Sequence, residues 1–430
     1  MIKSLKIPSP KRNTRVRTSW ESFFPYYAGY SEVFARSVLA SAGLSSGNVV
    51  FDPWNGSGTT TYAASLLGLR SIGIDLNPVM IIVARARLLP PCEVDSVEAI
   101  GRHIVRGTRR ARSKLDTDDP LLLWFDEKTA GDLRAIERGI RRRLVGPRTL
   151  RPTGVQFDRM SGLAAIAYVA LFGVCRSLVS RFQSSNPTWL RLPKHECEKV
   201  QAKPEAIRAD FARILRDMAQ TIAPDGEVHR ERGATELRLM DATKSGCSPE
   251  SADFVLTSPP YCTRIDYTVA TRIELALIAP LTRCIPEELG RQMLGSTRVP
   301  TSQVQPSDSW GKCCSKFLTS LRAHPSRASG GYYYKTHLDY FSKMSCSLHQ
   351  ISSTLRDGGT AVLVIQDSYY KDLHNDLPSI VTEMAAGYGL QLKRRDDFRL
   401  ARTLADINPR AQAYQKKTGA VEAVLCFRKE

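Results

Sequence analysis

The chain has 430 residues, and its 61 Lys and Arg outnumber 43 Asp and Glu to give a formal charge of +18, an excess that suits a polyanionic partner, most simply nucleic acid. Hydrophobic residues make up 42%, enough for a large core, and the longest apolar run, LAAIAYVALFGVC at 163–175, is too short for a bilayer and predicts a buried helix. The ten cysteines are scattered without a CxxC pair, which argues against a zinc ribbon or disulfide framework and implies reduced, mostly structural thiols with no metal.

The first residues, MIKSLKIPSPKRNTRVRTSW, are basic and lack the apolar core of a signal peptide. Residues 1–18 read as a flexible basic arm on a cytoplasmic protein. From 48 to 88 strand and helix alternate. NVVFD is a buried strand ending in Asp52, PWNGSGTT is a glycine-containing loop, TTTYAASLLGL is a helix, RSIGID is a second strand ending in Asp75, and NPVMIIVARARLL opens another helix. Such alternation predicts a parallel sheet with both faces covered. Residues 92–231 change character: four segments with helical periodicity and many arginines predict a helical insertion, a candidate DNA-binding or target-recognition region. The α/β pattern resumes with TELRLMDAT, carrying Asp241, and ADFVLTSPPY. Residues 286–335, rich in Ser, Pro, Gly and Arg and ending in GGYYYK, predict an irregular insertion. A helix (THLDYFSKMSCSLHQISSTL), a break at RDGG, the strand TAVLVIQD, a helix near 376–388 and the strands LQLKRRD and AVEAVLCFRK complete the chain. The fold class is α/β, a doubly wound, mostly parallel Rossmann-like sheet with a large helical insertion, and its sheet domain comprises 19–91 and 232–430.

In an open α/β sheet the ligand crevice lies at the carboxyl ends of the strands. Asp52, Asp75, Asp241 and Ser258 all fall there. A Gly-rich loop leading into a helix holds a polar cofactor tail, and a strand-end acid such as Asp75 suits two ribose hydroxyls. The dinucleotide fingerprint GxGxxG is absent. An acid at the first strand's end, Asp52, suits instead a cationic amino-acid tail, and S-adenosylmethionine carries one. Straight after the apolar run FVL comes TSPPY, 257–261. Adjacent prolines donate no backbone hydrogen bonds and extend no helix, so this is a stiff loop at a strand end. The amine of a nucleobase is a poor nucleophile because its lone pair is delocalised into the ring. Acceptors for its protons, the Ser258 oxygen and the Pro259 carbonyl, draw the nitrogen towards sp³ geometry, and Tyr261 offers a face to a base taken out of its stack.

These motifs resemble those of the amino-group DNA methyltransferases, which make N4-methylcytosine or N6-methyladenine. The family's [DNS]PP[YFW] tetrapeptide is similar to Ser258-Pro259-Pro260-Tyr261, and the Ser form preceded by Thr is closest to the cytosine-N4 branch. Its cofactor motif DPFxGSGTT resembles DPWNGSGTT, so Asp52, Pro53, Gly56, Gly58 and Thr59 carry over. The ribose-binding acid falls on Asp75 in GIDLNP, and the segment upstream of the first strand sets Phe24 and Pro25 near the methionine tail. Asp241 is assigned to the adenine side. The resemblance covers about half of the chain, in pieces near 20–90, 234–275 and 336–429. It implies an S-adenosylmethionine-dependent enzyme acting on double-stranded DNA, in restriction–modification or phage defence, with a cognate restriction endonuclease or defence-system subunits as partners and no membrane. Rival readings are adenine-N6 methylation, an RNA or tRNA base methyltransferase, and a silent DNA-binding subunit that keeps the fold.

The chain departs from the family layout in carrying its long insertion between Asp75 and Asp241 and a second one after TSPPY. PPCEV at 90–94 tempts an assignment to cytosine-C5 chemistry, but Cys92 follows the second strand's helix, where no ring-attacking cysteine belongs. The runs RGTRRARSK (106–114) and RGIRRR (138–143) would give phosphate affinity without base choice. SNPTW at 185–189 and GGYYYK at 330–335 are either DNA contacts or packing residues.

Overall fold

The computed structural model describes the chain except residues 1, 12–18, 26–28, 109–114, 147–149, 152–153, 185–189, 223–231, 245, 263–266, 283, 299–303 and 400–419. Its main sheet has seven strands: β1 (Val49–Asp52), β2 (Arg70–Asp75), β3 (Thr235–Leu239), β4 (Ala252–Thr257), β5 (Leu355–Gln366), β6 (Leu390–Arg399) and β7 (Val421–Lys429), in the order β6-β7-β5-β4-β1-β2-β3. The pairs β1–β2, β2–β3, β1–β4 and β4–β5 are parallel, whereas β7 runs antiparallel between β5 and β6. The carboxyl ends of β1 to β5 therefore share one edge.

Alternate residues of the inner strands enter different cores, which is why these strands read as continuous apolar runs. Val50, Phe254, Val362 and Val424 face one side, covered by α1 (Glu32–Ser41) and α2 (Thr59–Leu66). Phe51, Val255, Leu363 and Leu425 face the other. The fold is a Rossmann-like α/β sheet covered on both faces.

After β2 comes α3 (Pro78–Arg87), capped by the Asn77 side chain with Pro78 opening the helix. Four long helices follow: α4 (Val94–Thr108), α5 (Glu127–Leu144), α6 (Gly162–Leu178) and α7 (Pro204–Ile222). The apolar run at 163–175 is α6, buried on nearly every side because α3, α4, α5 and α7 all pack on it. The inserted helices share one continuous core with α3, so α6 is seated directly behind the sheet edge. Among the described residues no helix is long and apolar enough to cross a membrane.

Three expectations need correction. The proposed flexible arm is packed over the part that is described: Ile2 and Leu5 are buried beside α1, Lys6 N donates to Ser41 Oγ at 2.8 Å, and Arg394 Nη1 donates to Leu5 O at 2.8 Å. Apolar residues interleaved with the lysines find a groove there. The proposed irregular insertion at 286–335 contains α10 (Pro286–Gln292) and α11 (Lys312–Ala323), after the short α8 (Tyr267–Ala270) and α9 (Arg272–Leu277). Helix α11 buries Cys314, Phe317, Leu318 and Leu321, an i, i+3, i+4, i+7 stripe. The RDGG sequence does not break the chain before a strand but lies inside β5, where Gly358 at φ +69° lets the strand bulge against β4. GGYYYK turns into α12 (Tyr334–Thr354), with Tyr333 packed against the Tyr370 ring at 4.6 Å between centroids. SNPTW lies outside the described residues. The last sheet helix is α13 (Leu377–Ala386).

Candidate active site

The loop from β1 to α2 is tied to its neighbours by backbone bonds. Asn55 N donates to Ile74 O at 3.0 Å, and Gly56 N donates to Asp75 Oδ2 at 2.9 Å. Asp75 Oδ1 accepts from Asn77 N at 2.8 Å. The Asn55 side chain lies so close to β2 that a Cβ at Gly73 would come within 2.6 Å of it; the glycine of GID is required for that contact. Gly56 and Gly58 both have positive φ, +48° and +80°. Gly58 faces α3, where a Cβ would stand 2.8 Å from Ala84 Cβ. Its smallness serves helix packing.

Asp52 ends β1 and is only 3% exposed. It accepts from the hydroxyl of Thr60 on α2, from Thr257 Oγ1 at 2.6 Å and from Trp54 N at 3.1 Å. Thr257 thus ties the end of β4 to the acid of β1, a role for the Thr before SPPY that the sequence did not disclose. Burial pushes the Asp52 carboxyl up to about 6, against the pull of the bonds from Thr257, Thr60 and Trp54. Burial also raises Asp75 to about 6, with the amides of Asn77 and Gly56 opposing and the charge of Asp52 adding to the rise. Tyr30 is buried and donates to Leu256 O at 3.1 Å.

Ser258 Oγ donates to Val364 O of β5 at 3.0 Å. The Pro260 carbonyl accepts from Tyr340 OH of α12 at 2.9 Å, which anchors the second proline. Tyr261 OH lies 3.4 Å from Glu422 Oε1 of β7. Asp241, two residues beyond β3, accepts from Thr243 N at 2.9 Å and Thr243 Oγ1 at 2.8 Å.

These groups line one pocket. Phe24, Pro25, Asp52, Pro53, Gly56, Thr59, Asp75, Asp241, Ser258, Pro259, Pro260 and Tyr261 all border it; of the catalytic and cofactor positions expected from the sequence, Gly58 alone does not. The pocket also takes in residues that sequence reasoning missed: Tyr30, Asn55, Arg176 from α6, and Met293 and Leu294 after α10. The only hint of Arg176 was a cation directly after the apolar run. Cys92 is exposed in a turn and does not border the pocket. Among the described residues no group of three or more His, Cys, Asp or Glu side chains could hold a metal.

A DNA methylase family model of the N6/N4 type matches residues 16–85, the span carrying β1, the glycine loop and Asp75. The Type II methyltransferase M.BsoBI of Geobacillus stearothermophilus is 23% identical over 369 residues, covering 83% of this chain and 70% of that protein. Among solved structures, the rRNA methyltransferase aviRa from Streptomyces viridochromogenes covers 94% of this chain and 87% of its own, at a TM-score of 0.30 and 11% identity, too distant to bear on function. The family match and the curated relative, joined to the strand-end pocket, make the chain similar to the amino-group DNA methyltransferases.

Proposed function

We propose that the protein methylates the exocyclic N4 of cytosine in double-stranded DNA, using S-adenosylmethionine. The observation that carries this reading is the bonding of Ser258. Its hydroxyl hydrogen is engaged by Val364 O at 3.0 Å, so what the side chain has left to offer a ligand is acceptor lone pairs. An acceptor is what the N–H of a nucleobase amine needs. Pro259 carries no backbone N–H to compete for its neighbours' acceptors, and the Pro260 carbonyl is held by Tyr340. The loop is therefore a preorganised set of acceptors, and positioning and electrostatics of this kind supply much of an enzyme's rate. Tyr261 borders the same pocket and offers a flat face to a base withdrawn from its stack.

S-adenosylmethionine would supply an electrophilic methyl group on a sulfonium. The residues present fit it. Asp52 and Asp75 are acids whose burial is relieved by a cationic amino-acid tail and a ribose diol, the loop at Gly56 and Thr59 lies between them, and Asp241 stands on the adenine side. No general base is required before transfer, because the methyl would leave its sulfur as a neutral thioether and the nitrogen, four-coordinate and cationic after transfer, then gives up a proton to the surroundings. The choice of N4 over N6 rests on Ser258 at the head of the tetrapeptide, and the restriction–modification setting, with a cognate endonuclease in the cytoplasm, rests on the similarity to a Type II methyltransferase.

The test is product analysis. Purified protein is incubated with unmodified genomic DNA and S-adenosylmethionine, the DNA is digested, and methylated nucleosides are identified by mass spectrometry. N4-methylcytosine is expected, with Ser258→Ala slower by about 100- to 1000-fold, the usual cost of removing one preorganised hydrogen-bonding group. N6-methyladenine would overturn the choice of base. No DNA product from a protein that binds the cofactor would overturn double-stranded DNA as a sufficient substrate.

A further inference from the structure

We propose that Arg176, carried by the inserted helix α6, receives the carboxylate of the cofactor's amino-acid tail, so that the insertion completes the cofactor pocket. The assignment rests on the S-adenosylmethionine reading and extends it to a residue outside the motifs that suggested it. The described residues around the pocket include three acids, Asp52, Asp75 and Asp241, and a single Lys, Arg or His, which is Arg176. A ligand with an ammonium, a sulfonium, a ribose diol and one carboxylate matches that set.

Arg176 is also held in a fixed orientation. Its Nε pairs with Glu274 of α9, a side chain that is fully buried. Nη2 reaches Ala270 O at 3.4 Å, at the limit of a hydrogen bond. The guanidinium carbon sits 4.4 Å from the centroid of the Phe24 ring, which also lines the pocket. Nη1 has no hydrogen-bond partner among the described residues. The planar fork is thus fixed by a buried acid and an aromatic face while Nη1 is left to a ligand. A guanidinium so oriented suits a carboxylate. Phe24 belongs to the segment that the resemblance sets near the methionine tail, the end of the cofactor that bears the carboxylate. Glu274 is a positioning residue, acting through Arg176.

The test compares two probes that differ only by the carboxylate, S-adenosylmethionine and its decarboxylated analogue, by calorimetric titration against the full-length wild type and Arg176→Met. The wild type is expected to bind S-adenosylmethionine about 10- to 100-fold more tightly than the analogue, the scale of a charge-assisted hydrogen bond. In Arg176→Met the two probes are expected to bind alike, with the analogue's affinity within about twofold of its wild-type value, a readout that also reports an intact fold. Arg176→Lys should recover part of the preference. Equal binding of both probes by the wild type would overturn the proposal, as would a parallel loss of both probes in Arg176→Met. A wild type that binds neither probe would overturn the S-adenosylmethionine reading and take the Arg176 assignment down with it, an outcome distinct from the other two.

Discussion

Asp52 and Asp75 set the electrostatics of the pocket, because both carboxyls are raised from 3.8 to about 6 by burial. For an acid whose pKa is higher in the folded state, the stabilising contribution is complete below the unfolded value and is lost as pH rises through the folded one. These two groups therefore lower the stability of the unliganded protein between about pH 4 and pH 6–7. A cationic ligand favours the ionised carboxylates, so it reverses the shift and expels the protons they hold. Two consequences follow at the level of these side chains. Affinity for S-adenosylmethionine should fall as pH drops below about 6, and binding at pH 6 should release protons. Titration calorimetry in two buffers of different ionisation enthalpy measures the release directly; a binding enthalpy that is the same in both buffers would contradict the argument. Asp52→Asn keeps one acceptor oxygen, enough for Thr257 or Thr60 but not both, and has no proton to release, so it should bind more weakly and with less dependence on pH.

At the scale of elements, the junction of β1, its loop and α2 depends on Gly58. The residue caps α2 at φ +80° and packs so closely on α3 that a Cβ would lie 2.8 Å from Ala84 Cβ and 3.0 Å from Ala84 Cα. Gly58→Ala combines a left-handed backbone with overpacking and is expected to cost about 2–4 kcal/mol, read from the denaturation midpoint. Gly47→Ala, with nothing within 4 Å of its Cβ, should change stability little. An unshifted midpoint in Gly58→Ala would show that α2 and α3 can part without cost. The strands around this junction were legible in sequence because each is a short apolar run ending in an acid or a hydroxyl, and the helices α4 to α7 because their apolar stripes are long. Helix α11 was not, since Ser, Cys and Lys hid a stripe of only four residues. The packed N-terminal segment was missed for the opposite reason: its charge outweighed Ile2 and Leu5, which find their groove only once α1 is in place. Arg176 carried no local signal of its role, because its approach to Phe24 and Glu274 is made by α6 docking on α3 and α9, contacts between residues about 100 apart in the chain or more.

For the whole molecule the governing quantity is the charge of +18, and the fold decides which of those charges can serve a polyanion. On α7 the arginines are largely neutralised in place: Arg213 pairs with Asp210 and Asp217, and Arg216 lies near Glu98. Arg134 is buried, bonded to Asp119 and to the carbonyls of Ala276 and Leu277, so it holds α5 against the core and is unavailable to DNA. The end of α5 differs. Arg141 is paired with Glu137, but Arg142 and Arg143 are exposed and pair with no acid among the described residues. At the C-terminal turn of a helix they oppose the negative end of its dipole, and a phosphate can take them without breaking an ion pair. If these two arginines contact phosphates, each should release about one counterion, and the slope of log affinity for duplex DNA against log salt should shallow by about 0.9 per charge removed. Arg142→Gln with Arg143→Gln is thus expected to reduce the slope by about 1.8, uniformly across DNA sequences because phosphate contacts carry no base choice. Arg213→Gln should leave it nearly unchanged, since that charge is already matched by two carboxylates. Fluorescence anisotropy with a labelled duplex over a salt series reads both variants. An unaltered slope in the double variant would remove the end of α5 from the DNA-facing surface, while an equal reduction in Arg213→Gln would show that overall charge, and not unpaired charge at one helix end, governs the attraction.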